Sequence, residues 1–311
     1  MFLSDHPKAG TGPCELKEES LTNVSMCGAC GCQSFRRLGI YRSSPKIHFV
    51  KCEKCGAVTY DKILKQSVID EIYDDNQYYD DSDDAGNITF YGMNRFGSHL
   101  LKIFSKIKIS NICKILDFGG GDGAVAYALA KKLKNKHPNT LFEITVVDYT
   151  KKLFKTDDNG IIITHTFPLE NLSDSDEFDI VIASAVMEHI PEPKGIFLKL
   201  FTIVKDGGML YFRTPYRYPL YKLAKHFGVE FDMLYPGHIW DFGGNKWWRK
   251  IPQIVGLENE IEIVLSRPSI VEKSFKSHFV IALASYLLKA PWFICHLWPY
   301  VGGWEAVYKK V

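Results

Sequence analysis

The chain carries almost no net charge: 38 Lys and Arg stand against 36 Asp and Glu, leaving +2 over 311 residues. A near-neutral total lacks the electrostatic footprint of a nucleic-acid-binding protein, so nucleic acid is not an expected partner. The first dozen residues lack a basic stretch followed by an apolar run, so no export signal is read there. Residues 1–22 read instead as a flexible tail. No internal repeat or low-complexity tract stands out, which argues against solenoid and fibrous architectures. Long apolar runs are also missing. The nearest approach, 279–301, is broken by Lys289, Pro291 and His296, which speaks against a transmembrane span. That segment is expected to form a buried helical hairpin near 275–300, with a membrane-surface or dimer contact as the alternative.

Cysteine is present, and its spacing is informative. Cys27-Gly28-Ala29-Cys30-Gly31 and Cys52-Glu53-Lys54-Cys55-Gly56 are two C-x-x-C-G knuckles with 21 residues between the inner cysteines. Tetrahedral zinc takes four thiolates, and two tight turns supply two each. The glycine after each second cysteine lets its turn close. Residues 35–41 and 47–51 between the knuckles alternate like strands. Residues 23–62 are therefore expected to be a zinc ribbon, with Cys27, Cys30, Cys52 and Cys55 as ligands of a structural zinc ion. Without an export signal, eight cysteines suit a reducing cytoplasm. Residues 63–90 contain an acidic, tyrosine-rich stretch. It reads either as a solvated linker or as a lid in which Tyr78 and Tyr79 cover a cationic ligand.

The centre of the chain is Ile115-Leu116-Asp117-Phe118-Gly119-Gly120-Gly121-Asp122-Gly123. Apolar residues lead in as a buried strand, and the alanine-rich run 124–133 leads out as a helix. Strand, glycine turn and helix bring a nucleotide-like ligand against bare backbone. Gly119, Gly121 and Ala124 match a dinucleotide fingerprint. Asp117 opposes that ligand, because its carboxylate would repel a pyrophosphate. It suits the ammonium and sulfonium of S-adenosylmethionine.

Further strands are read at 141–147, 160–164, 178–183, 209–213, 260–265 and 305–310, alternating at first with helices. That pattern gives a doubly wound parallel α/β sheet. The second strand ends in Asp148 and Tyr149, where a carboxylate accepts ribose hydroxyls. The fourth ends at Ser184. Residues 216–246 come after the fifth strand and are rich in aromatics and glycine, at the edge where open α/β sheets bind ligands.

With these features in place, residues from 91 onward resemble class I S-adenosylmethionine-dependent methyltransferases. Ile-Leu-Asp-Phe-Gly-Gly-Gly-Asp-Gly is similar to the family's first motif. Phe178 through Pro193 is similar to its fourth-strand motif, and Gly-Gly-Met-Leu-Tyr-Phe-Arg-Thr-Pro to its fifth. Cysteine pairs, then a tyrosine pair, then this domain resemble bacterial enzymes that methylate sugars and natural products. The resemblance implies a seven-stranded Rossmann-like sheet with an antiparallel seventh strand over 91–311. It implies that Asp117, Gly119 and Gly121 hold the methionine end, Asp148 the ribose, and Leu169 the adenine. Tyr149, Ser184 and Tyr79 complete the candidate cofactor set. The acid often found near the adenine amine falls at Pro168 here, with Glu170 as the substitute.

The residues after the fourth strand narrow the acceptor. Neither Asn-Pro-Pro-Tyr nor Asp-Pro-Pro-Tyr is present, and no Pro-Cys nucleophile occurs. Amide nitrogens, exocyclic base nitrogens and cytosine C5 are disfavoured. A hydroxyl or an activated carbon remains; a hydroxyl of a sugar-like small molecule is the expected acceptor, and a hydroxyl needs a base. His238 is the first candidate and His189 the second. The rival readings are an RNA methyltransferase with a basic ribbon (Arg36, Arg37, Arg42, Lys46, Lys51 and Lys54) and a non-catalytic assembly protein. A monomer or homodimer is expected.

Overall fold

The computed structural model of the chain describes residues 17–74, 93–149, 153–155, 159–228, 237–271, 275–276 and 278–311. Tyr78, Tyr79 and the expected lid lie outside the described residues.

Two small sheets precede the large one. β1 (Leu21–Asn23) pairs antiparallel with β5 (Lys62–Leu64), so the expected tail of 1–22 ends within a strand. β2 (Phe35–Ser43), β3 (Lys46–Cys52) and β4 (Val58–Tyr60) form an antiparallel three-stranded sheet above the cysteine knuckles. Helices α1 (Gln66–Asp74) and α2 (Met93–Ile103) come next. Phe96 and Leu100 bury the apolar stripe of α2, as the helical spacing requires.

The large sheet has seven strands: β6 (Ile112–Phe118), β7 (Leu141–Val147), β8 (Ile161–Thr166), β9 (Phe178–Ser184), β10 (Val204–Tyr216), β11 (Ile261–Pro268) and β12 (Gly302–Lys310). Their order is β11-β12-β10-β9-β6-β7-β8. β6 to β10 are parallel, and β12 runs antiparallel to both β10 and β11. This is the seven-stranded arrangement with an antiparallel last strand that the resemblance implies. The central strands are buried on both faces, which is why they read as continuous apolar runs. Register aligns their carboxyl ends: Phe118 lies opposite both Val147 and Ala183, and Ser184 opposite Arg213. One edge of the sheet therefore presents Asp117, Asp148 and Ser184 together.

α3 (Ala124–Lys134) and α2 cover one face. They approach closely at Gly97, where a Cβ would fall 2.8 Å from the Ala128 carbonyl carbon. The other face carries α4 (Pro193–Thr202), α6 (Asn245–Trp248) and α7 (Ile251–Val255), and α5 (Tyr218–His226) lies against the three-stranded sheet. The apolar core on this face is continuous with that of the cysteine-knuckle module. Phe49 packs on Tyr218 and Tyr221 with ring centroids 5.2 and 4.8 Å apart. Val58 forms a β-bridge to Asp241, and Lys194 N–H donates to the Gly28 carbonyl.

The segment between β11 and β12 corrects an expectation. Among its described residues it holds one helix, α8 (Phe279–Lys289), and a 3-10 turn (Ala290–Phe293), not a buried hairpin. Ala282 and Trp292 are the buried residues of these two elements. The apolar character that predicted burial is turned outward, because the β-sheet face it would cover is already filled by α2 and α3 on one side and by the tryptophan-rich helices on the other. Among the described residues, no helix is long and apolar enough to cross a membrane.

Candidate active site

β6 delivers Asp117 to the carboxyl edge, and the glycine turn begins at once. Gly119 N–H donates to the Val147 carbonyl at 2.8 Å. Gly119, Gly121 and Gly123 have φ of +67°, +59° and +84°, a region that side chains avoid. A Cβ on Gly119 would fall 2.5 Å from Val186, and one on Gly120 would collide with the Asp117 carboxyl. Gly121 differs: a Cβ there would meet only open space. Its N–H donates to Asp148 Oδ2 at 2.8 Å, so the turn draws the first two strand-end acids together.

Asp117 is buried, and its Oδ2 has no hydrogen-bond partner among the described residues. Burial, reinforced by the charges of Asp148 and Asp122, pushes its carboxyl up to about 7. An orphaned carboxyl oxygen beside a second acid is a site for a cation. The ammonium or sulfonium of S-adenosylmethionine fits this donor set, and a pyrophosphate does not. A pH dependence results. Because the folded value is raised, the folded chain without ligand holds more protons than the unfolded one from the ordinary carboxylate range up to about 7. Its stability from this group therefore falls as pH rises through that window. A cationic ligand favours the ionised form, so its affinity should rise from pH 5.5 to 7.5. Calorimetric titration should show this rise in the natural protein and a flat profile in Asp117→Asn. A rise of equal size in the variant would remove Asp117 from the site.

Along the same edge, the Tyr149 ring packs on Phe167 with centroids 4.3 Å apart. Leu169 is buried at the start of a 3-10 turn (Leu169–Asn171). The His165 imidazole Nε2 pairs with the Asp148 carbonyl at 2.7 Å. Glu170, the expected substitute for the acid at Pro168, is exposed. Ser184 is engaged elsewhere: its hydroxyl accepts from Arg213 Nε at 3.0 Å and braces β9 against β10.

β9 ends in a strained residue. Ala185 has φ +59°, unusual outside glycine. Its N–H donates to the Arg213 carbonyl at 2.7 Å. The bend presses Val186 onto Gly119 and starts the turn Met187–His189. The Glu188 carbonyl accepts N–H from Ile239 at 2.7 Å and Trp240 at 3.1 Å, which pulls the loop after β10 onto the end of β9. The His189 and His238 rings consequently meet edge to face, centroids 4.4 Å apart. Glu188 Oε1 lies 4.0 Å from His189 Nε2. Ligand atoms of Glu188, His189 and His238 all lie within 4.8 Å of one another. Burial, with the charges of His189 and Arg217, holds the His238 imidazole well below its ordinary range. It is therefore neutral at pH 7.

The wall opposite His238 comes from the cysteine-knuckle module. A narrow crevice is lined by Phe49, Tyr60, Pro215, Arg217, His238 and Trp240. Asp241 anchors it, accepting N–H from Arg217 at 2.6 Å and Tyr218 at 2.7 Å. Burial still pushes the Asp241 carboxyl up to about 6. Thr59 hydroxyl donates to the Ile239 carbonyl at 2.9 Å.

A family model described as a methyltransferase domain matches residues 89–258, more than half of the chain. The chain belongs to the class I S-adenosylmethionine-dependent methyltransferases. Within this family it is similar to the ubiquinone biosynthesis O-methyltransferase of Pseudomonas fluorescens (strain SBW25). The two are 27% identical over 132 residues, 42% of this chain and 56% of that protein. The protein of the same name from Acinetobacter baumannii (strain AYE) is 29% identical over 121 residues, 38% and 50% of the two chains. The chain spans about half the length of the curated relatives it matches. Among solved structures, the plantazolicin methyltransferase BpumL in complex with SAH is 16% identical, with a TM-score of 0.46, covering 79% of this chain and 98% of that one. An S-adenosylmethionine-dependent methyltransferase from Clostridium acetobutylicum ATCC 824 is 12% identical, with a TM-score of 0.42 over 79% and 98%.

The methyltransferase also holds a metal-type cluster away from this cleft. Cys27 and Cys55 sulfurs lie 3.7 Å apart, and those of Cys30 and Cys52 3.5 Å apart. All four cysteines are buried. Zinc with sulfurs at ~2.3 Å in a tetrahedron separates them by roughly 3.8 Å, so the four sulfurs fit that ion. Burial pushes the Cys52 thiol up to about 12, so thiolate there needs a cation. Gly31 and Gly56 have φ of +73° and +82°, closing the knuckles as their position after each second cysteine requires. Four thiolates would hold zinc with no open position, a structural role.

Sequence reasoning treated His189 and His238 as competitors, and the structure brings them into contact. It missed Glu188, Ala185, Asp241 and the wall formed by Phe49 and Tyr60. Glu188 carried a signal, lying beside His189 in the fourth-strand stretch. Nothing local marks the others.

Proposed function

We propose that the protein transfers the methyl group of S-adenosylmethionine to a hydroxyl of a small-molecule acceptor that meets the donor at the carboxyl edge of the sheet, beside His189 and His238. The support for this reading is the contact of His189 with His238 beside buried Glu188, on the same edge as the glycine turn. S-adenosylmethionine supplies an electrophilic methyl group on a sulfonium. Asp117 and the Gly121 backbone would hold its methionine end, Asp148 its ribose, and Tyr149 and Leu169 its adenine. His238, neutral at pH 7, takes the proton of the acceptor's hydroxyl, which leaves that oxygen nucleophilic. The proton is then shared with His189, and Glu188 balances the imidazolium charge. Phe49 and Tyr60 keep water from the acceptor.

The acceptor is a sugar-like or phenolic hydroxyl. The curated relatives are named O-methyltransferases, and the aromatic core behind His238 (Phe49, Tyr60 and Trp240) makes its surroundings apolar. The inner face of the ribbon is spent on the methyltransferase core, which weighs against an arm for RNA.

The expected result for His238→Ala is a fall in kcat of about 10²–10⁴ with S-adenosylmethionine affinity kept. Full turnover in that variant would end its role as base. A second reading has one specific observation behind it: Glu188, His189 and His238 have the two-histidine, one-carboxylate make-up of a divalent-metal site. Elemental analysis separates the two. One zinc per chain in both the natural protein and His189→Ala favours the base. A second metal ion lost in His189→Ala favours metal assistance.

A further inference from the structure

The connection between β11 and β12 exposes a face that no described residue covers. Val280 is 76% exposed, Leu287 63%, Ile294 92% and Leu297 77%. Val280, Leu283 and Leu287 recur at helical spacing, so they form one stripe along α8, and Phe279 flanks it. The stripe is not a loose end. Trp292 packs against Trp304 at 5.5 Å, Lys289 Nζ donates to the Ser269 carbonyl at 2.7 Å, and Trp298 Nε1 donates to the Leu288 carbonyl at 2.8 Å. Monomers rarely show a contiguous apolar patch of this kind without a use for it.

Charge identifies the occupant. Residues 273–304 contain no Asp or Glu, in a chain with 36 acids among 311 residues. The same stretch carries the exposed Lys276 and the half-buried Lys289, and Arg95 Nη2 reaches Tyr286 Oη at 3.3 Å. We propose that α8 and the turn after it dock the protein in plane on an anionic lipid bilayer. Apolar side chains enter the headgroup boundary, and the basic rim meets anionic headgroups. With 11 residues, α8 is too short to span. A two-fold dimer through this face would set the basic rim against itself, so a second copy is the poorer partner.

Docking here has a consequence for the acceptor. β11 runs parallel to β10 and ends at Pro268, on the carboxyl edge of the sheet. The apolar face thus leaves the edge that carries the crevice, and Trp304 links the two, lying 5.5 Å from Trp292 and 6.3 Å from Tyr216. Resting on the hydroxyl-methylation reading above, the acceptor is then an amphiphile presented from the bilayer.

The test is co-sedimentation with phosphatidylcholine vesicles, with and without phosphatidylglycerol. The natural protein should pellet with the anionic vesicles at least tenfold more than with the neutral ones, and less in high salt. The triple variant Val280→Asp, Leu287→Asp, Ile294→Asp should stay in the supernatant yet bind S-adenosylmethionine as before. Lys276→Glu, which leaves the apolar face intact, should weaken vesicle binding at least fivefold, from about 1 kcal/mol per charge. Failure of the natural protein to pellet, or equal pelleting of the triple variant, overturns the proposal. So does a concentration-dependent dimer in sedimentation velocity that the triple variant abolishes without any vesicle binding. Retained S-adenosylmethionine binding in each variant separates failure of docking from failure of the methyltransferase reading.

Discussion

The double variant Cys27→Ser, Cys52→Ser is expected to lose zinc, ribbon structure and methyl transfer together. Each substitution removes a thiolate from one side of the four-sulfur cluster. Structural zinc in such sites contributes an apparent 10–16 kcal/mol, about the whole stability of a typical domain. The module's own sheet is small: a nine-residue strand, a seven-residue strand and a three-residue strand. Its buried apolar side chains are shared with the methyltransferase core. When it opens, Phe49 leaves Tyr218 and Tyr221, and the Val58–Asp241 bridge is broken. The loop bearing His238 then loses the strand that holds it. Turnover should drop by more than about 100-fold, the size of a lost general base. Affinity for S-adenosylmethionine should change far less, since the glycine turn is supported by β6, β7 and β9. Zinc content, calorimetric titration and turnover measured on one preparation check all three. A zinc-free chain with full turnover would show that the ribbon does not hold the acceptor loop.

Glu305→Ala is expected to destabilise the fold strongly although it lies outside the cleft. Glu305 is fully buried on β12. Its Oε2 pairs with His99 Nε2 at 2.8 Å and accepts from Tyr211 Oη at 3.1 Å, and its Oε1 accepts from Arg267 Nε at 2.7 Å. One carboxylate thus ties α2, β10 and β11 to β12. Burial raises its pKa, but hydrogen bonds and charge from His99 and Arg267 outweigh burial and hold it below the ordinary range. Removing one partner of such a set costs about 3–5 kcal/mol. About 3 is the better figure here, because Arg267 is partly exposed and solvent takes up part of the loss. That corresponds to a fall in Tm of about 4–5 °C for a chain of this length. The sign with pH is set by the depressed value. The stabilisation is present above the ordinary glutamate pKa and disappears as pH falls through the lower folded one. The difference in Tm between the natural protein and the variant should therefore be full at pH 7 and shrink in the acid limb. Calorimetry at pH 7 and on acidification measures it, and a variant melting within a degree of the natural protein at pH 7 would contradict the network's role.

These two sites differ in how far they could be read beforehand. The cysteines announced themselves through spacing, because two-residue gaps are what a knuckle around zinc requires. Glu305 gave no sign. On paper it is one acid in a terminal strand, and its partners His99, Tyr211 and Arg267 come from three distant segments. The glycine turn was legible for the same reason as the cysteines: adjacent residues impose the positive φ and the close approach to Asp117. Ala185 adopts positive φ with no glycine to mark it, because hydrogen bonding to Arg213 holds the bend.

The sequence by itself determined the elements whose causes are local. Apolar runs set the strands of the central sheet, glycines set the turn after Asp117, and cysteine spacing set the two knuckles. Only the tertiary structure decided what met what. It joined His189 to His238 across 49 positions, laid the ribbon against the acceptor loop, and turned the apolar 279–301 stretch outward. Periodicity reports which residues avoid water, but not which surface is left to receive them. Both faces of the sheet are filled by other helices, so α8 keeps its apolar stripe on the outside.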